Sequence, residues 1–346
     1  MKLGIMSGAF GAKLEIDIDI IRHAESLGFD SAWTAEAYGN DAVTGATWIA
    51  AKTEKINVGT AIMQMPARSP AMAAMTAMSL DHLTGGRFIL GLGPSGPQVA
   101  EGWHGVPYGR PLTRTKEYIE IIRKIIARKE PLSHQGFHYQ IPCTGASASG
   151  LGKPLKSILH GNPIKIYTAS ISPNGLRCSA EVADGVFPLM MNPEKFSALQ
   201  APYLEEGFAK AGGGKSLDDF DVCPFVSVII SDDLEKARMP IKMQLGLYIG
   251  GMGARGKNFY TDYAIRLGYE EAAVKIQDLF LDGKRGEAIA AVPDALVDDV
   301  HLVGDKDRIR DRLAAWREAG KKRHVDTMLI ATNQREVLEL LAEELL

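Results

Sequence analysis

Short apolar runs and amphipathic stretches alternate from the first residues of the chain. Positions 3–6 are apolar, and 15–27 then carries Ile16, Ile20, Ile21, Ala24 and Leu27 at helical spacing, closed by Gly28. The pair of patterns recurs as a strand over 29–34 with a helix over 42–52. It recurs again as a strand over 56–62 with a helix that Ser69 and Pro70 start and Gly85 and Gly86 stop. A fourth pair joins the apolar run 88–92 to a helix over 114–128, with Tyr118, Ile121, Ile122, Ile125 and Ile126 on its inner face. Such alternation specifies a parallel sheet.

The alternation lapses over 130–162, where 134–140 suits a small hairpin ahead of a Gly/Ser-rich run. It resumes with strands at 163–169, 185–187 and 221–230, and helices at 173–182, 193–211 and 232–244. A glycine-rich segment at 247–260 leads into helices reaching about residue 300. A helix from 305 to 319, a strand over 326–330 and a helix over 334–345 close the chain. Length and the late return of the alternation favour a (β/α)8 TIM barrel over a doubly wound sheet. The expectation is one domain over 1–346 with insertions near 130–162 and 245–300.

Composition narrows the function. The 346 residues are 46% hydrophobic with a formal charge of −3, enough for a sizeable core and no electrostatic case for nucleic acid or an anionic membrane. Cys143, Cys178 and Cys223 are odd in number and far apart, which argues against a disulfide framework or a structural zinc site. No apolar run approaches the ~18 residues of a bilayer span, and the first residues read as a strand, so a cytoplasmic protein is expected.

Gly91, Gly93 and Gly96 imitate the dinucleotide fingerprint, which requires a helix at once. Here Pro97, a turn over 101–105, Pro107 and Pro111 precede any helical pattern. A glycine loop at the end of a barrel strand, where backbone approaches a flat cofactor, suits these residues better. Met63, Met65, Met190 and Met191 fall at or just after strands, fitting either an adaptable apolar pocket or core filling. His134 and His138 have no third partner, so no metal site is expected, and the Gly-Lys-Ser at 214–216 lacks the first glycine of a phosphate loop.

Several stretches, in order and at family spacing, carry a resemblance. They are Ala24-Glu-Ser-Leu-Gly-Phe-Asp-Ser-Ala-Trp33, Val58-Gly-Thr-Ala-Ile62, Leu83-Thr-Gly-Gly-Arg-Phe-Ile-Leu-Gly-Leu-Gly93, Arg110-Pro-Leu, Ile166-Tyr-Thr-Ala-Ser170 and Ala180-Glu-Val-Ala-Asp-Gly185. Over nearly its whole length the chain resembles the bacterial-luciferase-like superfamily. Within it, the chain is similar to the deazaflavin-dependent oxidoreductases related to methylenetetrahydromethanopterin reductase. The resemblance implies hydride transfer between coenzyme F420 and a small organic substrate at the barrel mouth. An FMN-dependent monooxygenase using dioxygen and a non-catalytic flavin-binding barrel are the alternatives.

The resemblance also implies a role for particular residues. A non-prolyl cis peptide at Ala61–Ile62 would back the deazaflavin ring, with Gly93, Pro94, Ser95 and Gly96 lining the cofactor. Ala169, Ser170, Ser172, Asn174 and Gly175 precede a helix whose N-terminus suits a phosphate, Ser172 serving as its cap as well. Relatives end strand two with an acid and a histidine; here Ala37 follows Glu36, and the acid–base role of that histidine is unsupported. Glu36 is the catalytic candidate, protonated in an apolar pocket, with a salt bridge as its other reading; Glu101 is a weaker candidate. Met63, Met190 and Met191, with Arg255 and Lys257 from a glycine-rich lid, would form the substrate pocket, a subunit contact being the lid's other reading. Family habit implies a homodimer.

Overall fold

The computed structural model describes residues 1–8 and 12–346. Its first part holds β1 (Lys2–Ser7), β2 (Ser31–Thr34), β3 (Asn57–Thr60), β4 (Met63–Gln64) and β5 (Phe88–Gly93). An antiparallel hairpin of β6 (His134–Gln135) and β7 (Gln140–Ile141) stands apart. Then come β8 (Ile166–Ala169), β9 (Gly185–Phe187), β10 (Asp221–Val222), β11 (Phe225–Ile230), β12 (Leu302–Gly304) and β13 (Thr327–Ala331). All but the hairpin join one curled parallel sheet, ordered β10-β9-β8-β5-β3-β2-β1-β13-β11-β12 with β4 beside β5. The curl presents residues 221–230 to both flanks: β10 pairs with β9, and β11 pairs with β13.

The outer helices begin where the sequence supplies caps. Asp17 accepts the N–H groups of Asp19 and Ile20 at 3.0 Å to start the Ile18–Ser26 helix, which turns Ile20, Ile21 and Ala24 inward. Ser69 caps the Pro70–Thr84 helix, and Gly85 at φ 68° ends it. Ser172 caps the Pro173–Val182 helix, accepting the Gly175 N–H at 3.1 Å.

The sheet interior is filled by rings set against glycines. Trp33 packs edge-on to Phe187 at 5.2 Å and lies 6.0 Å from Tyr167. A Cβ at Gly59 would stand 2.3 Å from the Trp33 ring, and one at Gly185 would stand 2.7 Å from Tyr167. Each buried ring contributes ~1.5–3 kcal/mol, and only glycine on the adjoining strand leaves it the room.

Several expected elements differ, each for a local reason. The strand expected over 56–62 divides into β3 and β4. The strand over 221–230 is interrupted at Cys223 and Pro224, since proline offers no N–H to the ladder. The helix expected over 193–211 breaks into Pro193–Lys195, Phe196–Leu199 and Ala201–Ala211. The helix after β11 runs on as Leu234–Gly251, taking in the start of the glycine-rich segment, because Gly250 and Gly251 let it close onto Phe280. β12 was not expected; three residues carry too little periodicity to be seen.

Helices between Leu234 and Val300 enclose a second core, which also takes in Ile171 and Met190 from the loops after β8 and β9. These helices therefore pack over the C-terminal ends of those strands. Among the described residues no helix is long and apolar enough to cross a membrane.

Candidate active site

Three neighbouring strands deliver the cofactor candidates to one place. β4 registers Gln64 opposite Gly93, and β5 registers Leu92 opposite Thr168, so the ends of β3, β5 and β8 lie side by side. The Ala61–Ile62 peptide bond is cis. Ala61 is buried and donates its N–H to Thr34 O at 2.6 Å, while Ile62 is half-exposed. A Cβ at Gly93 would meet Ile62 Cδ1 at 2.7 Å, so the isoleucine leans across the glycine. Pro94, Ser95 and Gly96 are half-buried beyond it, Ser95 in the left-handed region at φ 61°.

The expectation that no helix follows these glycines is corrected. Gly96 is the N-cap of a short helix, Pro97–Ala100, and the N–H groups of Glu101, Gly102 and Trp103 continue its bonding pattern. Proline at the first position loses an N–H that would have had no partner there. With four residues it still differs from the long helix of a dinucleotide site.

Glu36 is not a carboxyl in an apolar pocket. Its Oε1 accepts from Gln64 N at 2.6 Å and Arg68 Nη1 at 2.6 Å; its Oε2 accepts from Ala42 N at 3.0 Å and Arg68 Nη2 at 3.1 Å. With both oxygens doubly engaged, no lone pair is left for substrate. Arg68 also pairs with Asp41, and Glu36 is thus a clamp joining the end of β2, β4 and the next helix. Glu101 likewise braces its loop, accepting the Tyr108 N–H at 3.0 Å.

The loop after β8 is lined by hydroxyls. A Cβ at Gly175 would lie 2.9 Å from both Ser170 Oγ and Ser172 Oγ, so glycine alone keeps this cradle open. Ala169 is half-buried, and the exposed Asn174 accepts from Arg177 Nη1 at 3.0 Å. From the covering helices, Arg266 donates Nη2 to Ile171 O at 2.7 Å. Its Nη1 is buried without a partner among the described residues. Sequence reasoning missed Arg266, which is 95 residues from the carbonyl it binds.

The expected substrate pocket is not assembled as proposed. Met63 and Met191 are fully buried in the main core with Met65, and Met190 is buried in the second core, so these side chains fill space instead of lining a cavity. Arg255 is exposed and paired with Asp278 at 2.7 Å and with Asp282. Lys257 is exposed on the adjoining turn. His138 lies 3.0 Å from Arg110 O, and His134 lies 3.6 Å from Glu117 at the hairpin base. An open cleft of about 720 Å3 beyond β11 and β12 is lined by Asp232, Asp305, Lys306 and Glu336. Four acids outnumber two bases there, and Lys306 and Arg310 already face Glu336 and Asp307, so it does not suit an anionic cofactor.

A histidine absent from the expected set does reach the strand ends. His104 Nε2 lies 2.7 Å from Gln64 Oε1, and Gln64, itself buried, donates Nε2 to Glu36 O at 3.3 Å. That donation fixes the amide with its oxygen toward His104. The imidazole then donates from Nε2, which in the neutral ring leaves Nδ1 as the acceptor. The signal in the sequence was only a histidine in a glycine-flanked turn.

The chain is similar to known proteins over nearly its whole length. A family model described as luciferase-like monooxygenase matches residues 3–323. A Mycobacterium tuberculosis protein provisionally named a coenzyme F420-dependent oxidoreductase is 42% identical over 343 residues, 98% of this chain and 99% of that protein. The 5,10-methylenetetrahydromethanopterin reductase of Methanopyrus kandleri is 27% identical over 344 residues, with 94% of this chain and 93% of that protein covered. The solved structure of the coenzyme F420-dependent tetrahydromethanopterin reductase from the same organism matches with a TM-score of 0.75 at 25% identity, covering 99% of this chain and 97% of that one.

Proposed function

The chain belongs to the luciferase-like monooxygenase family, and from that premise we propose that this oxidoreductase binds coenzyme F420 across the ends of β3, β5 and β8 and passes hydride between it and a small organic molecule. The observation that carries the reading is Arg266 Nη1, buried and unpartnered beside the serine-lined start of the Pro173–Val182 helix. A phosphodiester there would receive a guanidinium donor, the hydroxyls of Ser170 and Ser172 and the Asn174 main-chain amide, since Pro173 has no N–H and the Gly175 N–H is held by Ser172. Gly175 supplies the open cradle. Ile62, resting on Gly93 and Ala61, offers an apolar floor to a flat ring, and Pro94, Ser95 and Gly96 its wall.

When bound, a deazaflavin supplies a ring carbon that gives or takes hydride. The protein's share is placement and exclusion of water: reacting atoms about 3–3.5 Å apart need little else from side chains. Glu36 contributes by fixing Gln64 and the loop after β2. Through Gln64 it orients His104, whose Nδ1 is free to hold the proton that accompanies hydride in a reduction or oxidation.

We read the sheet as a closed (β/α)8 barrel in one domain over 1–346, with insertions near 130–162 and 245–300; the double pairing of residues 221–230 supports closure. Trp48, Met72 and Met75, about half exposed on outer helices, support the homodimer. A cytoplasmic location completes the reading. Fluorescence titration of the protein with oxidised coenzyme F420 and with FMN tests it. Binding of the deazaflavin in preference to FMN is expected. Tight FMN binding alone would replace the reading with a dioxygen-using monooxygenase, and binding of neither would leave a non-catalytic barrel.

A further inference from the structure

Between residues 121 and 166 the chain carries seven lysines and arginines and a single acid, Glu130, although its total charge is −3. Arg123, Lys124 and Lys165 are neutralised by Asp184, Glu120 and Asp221. Arg128, Lys129, Lys153 and Lys156 have no carboxylate partner among the described residues. Arg128 Nε and Lys156 Nζ donate instead to the main-chain carbonyls of Ser157 and Lys129, at 2.6 and 3.0 Å. The four cations therefore gather along one strap, residues 151–160, where it crosses the end of the Pro111–Ala127 helix.

The same strap turns aliphatic side chains outward. Ile158 is 94% exposed, Leu151 86% and Leu155 69%, and Leu83, beside the His82 that holds the end of the strap, is 81% exposed. The strap is not loose chain. Leu132 N donates to Leu155 O at 2.7 Å, Ser157 Oγ to Leu159 O at 2.7 Å, and His82 Nε2 to His160 O at 2.7 Å. With Arg128 on the Ser157 carbonyl, four carbonyls of the strap are satisfied within the protein. Its main chain can leave water at little cost while the side chains beyond it enter an apolar medium.

We propose that this strap docks the protein on an anionic lipid surface. Leu83, Leu151, Leu155 and Ile158 enter the acyl boundary, and Arg128, Lys129, Lys153 and Lys156 meet the headgroups. Aliphatic residues interleaved with lysine suit that interface, whereas contacts between proteins favour aromatic residues and arginine and are depleted in lysine. A second copy meeting strap to strap would set four unneutralised cations against four more. The strap leads into β8 and lies beside the C-terminal ends of the Pro70–Thr84 and Pro111–Ala127 helices, so it belongs to the N-terminal ends of the strands. Docking there leaves the opposite face, with the coenzyme F420 site argued above, open to solution.

Flotation of the full chain with lipid vesicles tests it. Vesicles of phosphatidylcholine and phosphatidylglycerol in equal parts should hold the protein at least about tenfold more strongly than phosphatidylcholine alone, and high salt should release it. Ile158→Ser and Lys153→Gln alter exposed side chains that make no hydrogen bond in the fold, and each should weaken binding by about fivefold. Met243→Ser, at an exposed apolar position on the Leu234–Gly251 helix, should leave binding unchanged. No flotation, equal flotation on neutral vesicles, or binding that survives the joint Ile158→Ser and Lys153→Gln change would overturn the proposal. So would ultracentrifugation in which Ile158→Ser splits a dimer, since the strap would then face a second copy. Coenzyme F420 affinity should be the same in every variant. Vesicle binding that follows the expected pattern in a protein that ignores coenzyme F420 would refute the cofactor reading and uphold the strap.

Discussion

Glu36→Gln separates a clamp from a catalyst. The amide keeps one oxygen, which can still accept from Gln64 N and one guanidinium nitrogen of Arg68, now 2.6 Å from the carboxylate. Its NH2 then faces the Ala42 N–H, presently 3.0 Å from Oε2, and one buried donor is left unpaired at ~1–3 kcal/mol. Arg68 loses one counter-charge but retains Asp41, so this part stays well below the ~3–5 kcal/mol of a fully orphaned buried pair. The sum is about 3 kcal/mol, or a melting temperature lower by about 4 °C. Circular dichroism melts of both proteins read the shift, and fluorescence titration should find coenzyme F420 affinity changed less than about threefold. An unchanged melting temperature would refute the clamp, whatever happens to turnover.

Three further outcomes follow from the same contacts. Burial pushes the His301 imidazole down to about 4 while its Nδ1 accepts the Ser227 N–H at 3.0 Å. Unfolded histidine titrates near 6.5, so this group's stability is intact above that pH and is lost as pH falls toward 4, by about 3 kcal/mol; urea midpoints should show His301→Gln lacking that part of the slope, and parallel slopes would reject it. For Glu117, burial works against ionisation, but the N–H groups of His138, Phe137 and Tyr139 outweigh it and hold the carboxyl below its usual range. Its contribution is therefore present above the unfolded carboxylate pKa and lost as pH falls through the lower folded value, and Glu117→Gln should speed amide exchange at 137–139 by about tenfold without touching cofactor affinity. Gly93→Ala sets a Cβ 2.7 Å from Ile62 Cδ1 and should weaken coenzyme F420 by about tenfold, with Ile62→Ala in the same chain restoring part of the loss; equal affinity in all three proteins would remove Ile62 as the ring's floor.

Elements with local signals were legible in the sequence, and contacts closed over long distances were not. The Pro173–Val182 helix and β9 have the expected bounds because Ser172, Pro173 and the turn before Gly185 mark them from within. The alternation also located the sheet, and its lapse the hairpin. The methionines were ambiguous, since apolar residues at strand ends suit a pocket and a core equally until burial is known. Glu36 could not be assigned because Arg68 arrives from 32 residues away. Arg266 and His104 reach the site from an insertion and a turn, where side-chain direction is set by tertiary packing and not by period.

The glycine at position 59 carries a consequence for how this interior can change. Trp33 occupies the volume that any side chain at 59 would need, its ring 2.3 Å from where a Cβ would stand. The two positions are therefore not free to drift separately. A chain acquiring a methyl at 59 first must pass through a collapsed or expelled indole, whereas one that trims Trp33 first passes only through a cavity, which is survivable at a few kcal/mol. The order of substitution is constrained, Trp33 before Gly59, and even then the Ile89 carbonyl, 2.8 Å from the same Cβ, has to shift before the inner floor of this fold can widen.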